Sequence, residues 1–178
     1  MSLPQDNSPL VAFDPLPASD LNNMRTNIGA LSAGTGLEDG AVTAGKLGLG
    51  AKTAVVETSQ TRTSSTFGDL STPGPAVTVN IGAGGQALVT IYSNITNSSA
   101  GHSTGVSFDV SGANTQAATT SIYYLAQIAS GSSDAMRAGA TWLLTGLTPG
   151  STTFTLKYRA SGGTGTFNDR VITVIPLG

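Results

Sequence analysis

Cysteine is absent from this 178-residue chain, and histidine and tryptophan occur once each, as His102 and Trp142. Without thiols there are no disulfide staples, thiolate metal sites or thiol nucleophiles. A single imidazole cannot build a site that needs several. Charge is scarce as well, at 10% of residues, with 8 basic and 10 acidic side chains and a net charge of −2. Binding nucleic acid by neutralising phosphates needs a basic stripe, so no nucleic-acid partner is expected. No apolar run reaches the roughly 18 residues of a membrane helix, and no membrane insertion is expected. Met1 to Val11 has neither the basic start nor the apolar stretch of an export signal, which points to synthesis in a cytoplasm.

What remains is apolar residues, at 39%, and 23 glycines, enough to build a core. Residues 1–18 carry Pro4, Pro9, Pro15 and Pro17, which forbid a regular helix and favour an extended arm. Its apolar residues Leu10, Val11, Phe13 and Leu16 cannot form a core alone and are expected to dock elsewhere, anchoring the chain. Residues 19–31 read as a short helix with Ser19 as N-cap and Asp20 in the first turn. Leu21, Met24, Ile28 and Leu31 are spaced three, four and three, the narrow seam of a helix that meets copies of itself. Residues 32–52 form a glycine-rich connector without a collagen-like period.

From Thr53 the hydrophobic period changes from helical spacing to two. Val77, Val79 and Ile81 alternate with polar residues, as do Val106, Phe108 and Val110, and Phe154, Leu156 and Tyr158. Residues 86–96 carry apolar residues on both faces, and the continuous apolar run Val171–Ile175 leaves no solvent face, which calls for a second layer over its outer side. Gly82-Ala83-Gly84-Gly85 and Ser161-Gly162-Gly163-Thr164 read as hairpin tips, and Thr148-Pro149-Gly150 as a type II turn. No helical pattern intervenes. The expected fold is mainly β: an antiparallel, eight-stranded, jelly-roll-like sandwich over 53–178, behind the arm, the helix and the connector.

Catalysis needs convergent polar groups, and few are present. Asp109, Asp134 and Asp169 fall on different segments, and the only glutamates are Glu38 and Glu57. The glycines at 82–85 lack the lysine and helix of a phosphate cradle. No catalytic residue, cofactor or metal is assigned. Asn97, His102 and Asp134 lie in polar loops and are the candidates for contact with an outside ligand.

Two stretches carry a resemblance. Ala18-Ser19-Asp20-Leu21-Asn22 followed by Asp39 to Leu47 resembles the start of small virion proteins of tailed bacteriophages, of the minor tail, tail-fibre and head-fibre kinds. Gly146 to Gly150, Phe154 to Arg159 and Asn168 to Pro176 are similar to the end of their globular knobs, which resemble tumour-necrosis-factor-type trimers. The resemblance implies a non-enzymatic homotrimer on the virion, held to other virion proteins by its arm, its knob free to touch a host-surface glycan. It leaves open a tail adhesin, a capsid decoration and, with less support, a secreted carbohydrate-binding module. Residues 32–52 are too few for a long shaft, which favours a short spike.

Overall fold

A computed structural model describes residues 17–32, 50–127 and 135–177. The helix and the sandwich belong to separate compact units. Helix α1 spans Ala18–Ser32. Its first bonds run from Asp20 N–H and Leu21 N–H to the Pro17 carbonyl, at 2.9 and 3.3 Å. Pro17 therefore holds the capping position expected of Ser19, because a cap needs only a carbonyl to start the ladder. Ser19 lies inside the first turn.

The sandwich contains β1 (Lys52–Val56), β2 (Gln60–Arg62), β3 (Ala76–Ile81), β4 (Gln86–Asn97), β5 (Ser103–Gly112), β6 (Tyr123–Gln127), β7 (Met136–Leu144), β8 (Gly150–Ala160) and β9 (Gly165–Leu177). One sheet runs β1-β9-β4-β7, with β2 also on β9; the other runs β3-β8-β5-β6. All pairings are antiparallel. Strand β2 was not foreseen. It continues the edge that β1 opens along β9, so eight lateral positions hold nine strands.

The turns expected to be hairpins are not. Residues 82–85 lead from β3 in one sheet to β4 in the other, and 161–164 lead from β8 to β9 across the same gap. Residues 145–149 cross as well, and Gly150 takes φ 137°, well wider than a type II turn. A glycine-rich turn reverses the chain equally well within a sheet or between sheets; burial of both inner faces decides which. Repeated crossing makes this a jelly-roll-like fold.

Alternation supplies the core. Ile91, Ile95, Phe108, Phe154, Leu156 and Ile172 are fully buried between the sheets. Phe108 meets Trp142 edge-on at 5.8 Å, and Tyr158 meets Phe167 at 4.7 Å, the tilted packing aromatic quadrupoles favour. Phe167 and Ile172 both face inward although they are five residues apart, an odd spacing that strict alternation forbids. A bulge resolves this: opposite the β4 pairing partners Tyr92 and Asn94, β9 holds one extra residue between Asn168 and Val171. Asp169 absorbs it at φ 47°.

The bulge also turns Arg170 inward, where it is fully buried. Its guanidinium donates to the carbonyls of Gly74 (3.2 Å), Thr58 (3.3 Å) and Thr72 (3.4 Å), and lies over the Tyr158 ring. Tyr158 Oη donates to the same Gly74 carbonyl at 2.8 Å. Among the described residues no ion pair engages this cation; backbone dipoles and an aromatic face hold it instead.

Candidate assembly surface

The long axis of the sandwich has two distinct ends. β1 begins beside the end of β9, at Lys52↔Val174, and this end also carries the β3–β4 and β7–β8 turns. At the opposite end β4 passes to β5 and β8 to β9, β6 stops and β7 starts.

Of the residues expected to touch a ligand at that far end, His102 is exposed, with its imidazole against Gly162. Among the described residues no hydrogen bond joins that imidazole to a serine, so there is no Ser/His pair. Asn97 is a correction. It is fully buried, donating to Thr104 Oγ1 and the Gly162 carbonyl (both 3.1 Å) and accepting from Ser99 N–H at 3.0 Å. It braces the loops and offers nothing outward, because an amide in the last inward position of β4 must find partners inside. Asp134 lies outside the described residues, as do Leu10, Val11, Phe13 and Leu16. Leu21, Met24 and Ile28 of the helix stand 52%, 53% and 63% exposed, and the Leu31 side chain lies outside the described ones.

The outer face of the four-stranded sheet is polar; Arg159 lies over the Phe67 ring with its Nε buried and without a hydrogen bond, and Lys157 is paired. Lys157 Nζ donates to both oxygens of Asp69 at 2.8 and 2.9 Å and meets Asp109 at 3.2 Å. Burial lowers the Lys157 pKa, but the hydrogen bonds and charges of the two carboxylates together outweigh it, and the net shift is upward. A lysine held this firmly protonated is the opposite of a nucleophile. Asp109 also accepts from Ala118 N–H at 2.6 Å. Segment 113–122 folds back on this side, where Ser107 Oγ donates to the Ile122 carbonyl at 2.7 Å. An open groove of about 340 Å³ borders Asp109, Gln116 and Lys157 and carries no aromatic ring. Among the described residues no cluster of three potential metal ligands occurs, and no helix is long and apolar enough to cross a membrane.

The outer face of the five-stranded sheet has the opposite character. Pairing arranges its outward residues in rows across the strands. One row is Ile175, Leu88 and Leu143. The next is four threonines, Thr53, Thr173, Thr90 and Thr141, with hydroxyl bonds of 2.9 Å between Thr53 and Thr173 and between Thr90 and Thr141. Then come Val55, Val171, Tyr92 and Gly139, with the Tyr92 ring beside the bare Gly139 backbone. Next come Asn168, Asn94 and Arg137, and beyond them Thr61, Thr166 and Thr96. Arg137 is the only charged side chain in these rows. Val55 and Leu143 remain 52% and 55% exposed in the single chain.

Two apolar rows around a self-satisfied threonine row make a flat surface with little affinity for water. The apolar outer side of β9 was legible in the sequence. Its extension over Leu88, Tyr92 and Leu143 was not, although the two-faced apolar run at 86–96 was the available signal.

No protein-family model matches the chain, and no curated protein matches it in sequence. Solved structures share the architecture at low identity. Eiger TNF from S. frugiperda matches at 13% identity and TM-score 0.49, over 72% of this chain and 92% of that one. Infectious bursal disease virus, Gx strain, matches at 12% and 0.43, over 72% and 32%. The CBM22-1 xylan-binding domain of Paenibacillus barcinonensis Xyn10C matches at 14% and 0.37, over 72% and 84%. The chain is a jelly-roll-like β-sandwich protein similar in fold to these.

Proposed function

We propose that this chain is a non-enzymatic structural subunit of a tailed-phage virion: a short homotrimeric spike, fixed by its N-terminal arm, with the β knob outward. The observation that carries the reading is the outer face of the five-stranded sheet, apolar and nearly uncharged, on a knob whose other face is polar and pairs its lysine with two carboxylates. A face of this kind is stable in water when a copy of the chain covers it, and a closed ring covers it on every copy. The exposed seam of Leu21, Met24 and Ile28 adds a second surface of the same kind. Loops 98–102 and 161–164 lie at the end of the sandwich opposite the one where β1 begins. That suits contact with a host-surface glycan.

Sedimentation or native mass of the full chain tests the assembly, with a trimer expected; a monomer at high micromolar concentration sinks it. Gold labelling of a tagged chain on intact particles tests the place. Label at the tail supports the adhesin, label over the head makes it a capsid decoration, and no label on any particle removes the virion reading.

A further inference from the structure

The groove on the outer face of the four-stranded sheet has a fixed floor and a fixed wall. Its floor holds Asp109 and Thr155, which stand opposite each other on β5 and β8. Its wall is the segment after β5, which returns along the edge of that strand beyond the reach of β6. There Val110 and Gln116 exchange backbone bonds of 2.7 and 2.9 Å, and Ala118 N–H donates to Asp109. The Asn114 carboxamide donates to the Thr148 carbonyl and accepts from Thr148 N–H, at 2.9 and 2.7 Å. A wall tied in this way keeps its shape before any ligand arrives.

The groove is also where this face leaves hydrogen-bonding groups open. Elsewhere outward threonines pair across strands, Thr78 with Thr153 at 2.7 Å, and Thr53 with Thr173 and Thr90 with Thr141 at 2.9 Å. Thr155 is the next outward residue after Thr153 on β8. Yet neither it nor Ser111, Thr115 or the Gln116 carboxamide has a side-chain partner among the described residues. Between them lies the Asp109 carboxylate. One oxygen accepts from Ala118 N–H and the other faces Lys157 at 3.2 Å, which leaves about half of its lone-pair sites open. Lys157 directs its protons to Asp69 and Asp109, and so holds the carboxylate in place rather than meeting a ligand.

This set of groups selects one chemistry. Two carboxylates against one lysine disfavour an anion. The lining has no ring and no large apolar side chain facing out, so an apolar ligand finds little to bury against. The lysine already sits between the carboxylates, where a metal ion would have to be. What fits is a ligand whose neighbouring groups both donate and accept: donors for Asp109, either sense for the hydroxyls and the carboxamide. Adjacent hydroxyls of a sugar ring do this. The volume, about 340 Å³, is at the small end of ligand clefts, which begin at roughly 300 Å³.

We propose that this groove binds a saccharide, with Asp109 accepting from neighbouring hydroxyls and Thr115, Gln116 and Thr155 completing the contacts. No ring stacks on the sugar, so a single site holds it weakly, in the roughly millimolar range. Several copies on one particle grip a surface glycan far more tightly than one. The site is complete within one chain. It deepens the glycan contact of the proposed function and rests on that reading only for the gain from several copies.

Amide NMR of the full chain, titrated with the methyl glycosides of glucose, galactose and mannose, tests the groove. Saturable shifts of the Thr115, Gln116 and Ala118 amides are expected with at least one of them. Gln116→Ala and Thr155→Val are each expected to weaken binding roughly two- to ten-fold. Asp109→Asn keeps an oxygen for Ala118 N–H and is expected to weaken it roughly ten- to a hundred-fold, as the loss of a charged acceptor does. Thr61→Val, an exposed threonine on the other sheet, is expected to change nothing. The groove is not a saccharide site if no glycoside moves these amides, if loops 98–102 and 161–164 shift in their place, or if all the groove variants bind like the parent. Native mass of the same sample separates the two readings: a monomer that binds keeps the groove and loses the trimer, and a trimer that does not bind loses only the groove.

Discussion

On the four-stranded sheet an outward lysine is met by two carboxylates, and a segment of the same chain folds back to satisfy what the strands leave open. On the five-stranded sheet the outward positions hold mostly leucine, isoleucine, valine, tyrosine and threonine. Both faces come from the same two-residue alternation, so periodicity does not distinguish them. What distinguishes them is whether the outward residue must be content with water. Lys157, Asp69 and Asp109 are; Leu88 and Val171 are not. The first face pairs its lysine within the single chain, and the second, in the proposed assembly, is the one a neighbour covers.

The sharpest way to break this contrast is to put a charge on each face. Val171→Glu places a carboxylate where the next copy would cover it, and stranding a buried charge costs roughly 3–5 kcal/mol. It is expected to leave monomers at micromolar concentration, as read by native mass. Thr155→Glu, in an equally outward position on the other sheet, is expected to leave the oligomer unchanged. Equal effects from both would mean that the two faces do not differ in function.

A smaller effect probes the interior that both faces share. Arg170→Met removes the donor from the carbonyls of Thr58, Thr72 and Gly74 while keeping most of the side-chain volume. It is expected to lower stability by roughly 3 kcal/mol in denaturant melts, since buried acceptors are left empty. If Arg170→Met melts like the parent, the guanidinium does not hold those loops.

The smallest effects concern pH and the finished face. Burial raises the Tyr158 pKa above its ordinary 10.0, against the opposing charge and hydrogen bond of Arg170, and Lys157 is raised above its ordinary 10.5. Both groups hold their protons more tightly folded than unfolded. Their contribution is therefore complete below the unfolded values and is lost as pH rises above about 10. Tyr158→Phe is expected to lose about 1 kcal/mol at neutral pH, from the bond to Gly74, yet to decline less steeply in alkali. Lys157→Met is expected to cost less than about 1 kcal/mol, because its carboxylate partners are substantially exposed. A larger loss would show that the polar face contributes more than a solvated surface.

The strands were legible because each long one carries its own period: Phe154, Leu156 and Tyr158 alternate without interruption and are all buried. Strand β2 was not, since three residues are too few to show a period. The bulge at Asp169 was also hidden, because a two-residue count through Asn168-Asp169-Arg170 places the arginine outward. Asn97 looked like a loop residue by its neighbours Ser98 and Ser99 and proved to be the last buried position of β4.

The sequence by itself therefore determined the class: a cysteine-free, weakly charged, antiparallel β chain preceded by a short helix. These follow from composition and local period, which need no knowledge of partners. The tertiary structure decided which turns cross between sheets, where β9 slips by one residue, and which outward residues from four separate strands line up into rows. Those depend on register between segments distant in the chain, set by burying both inner faces at once, and no local pattern carries that information.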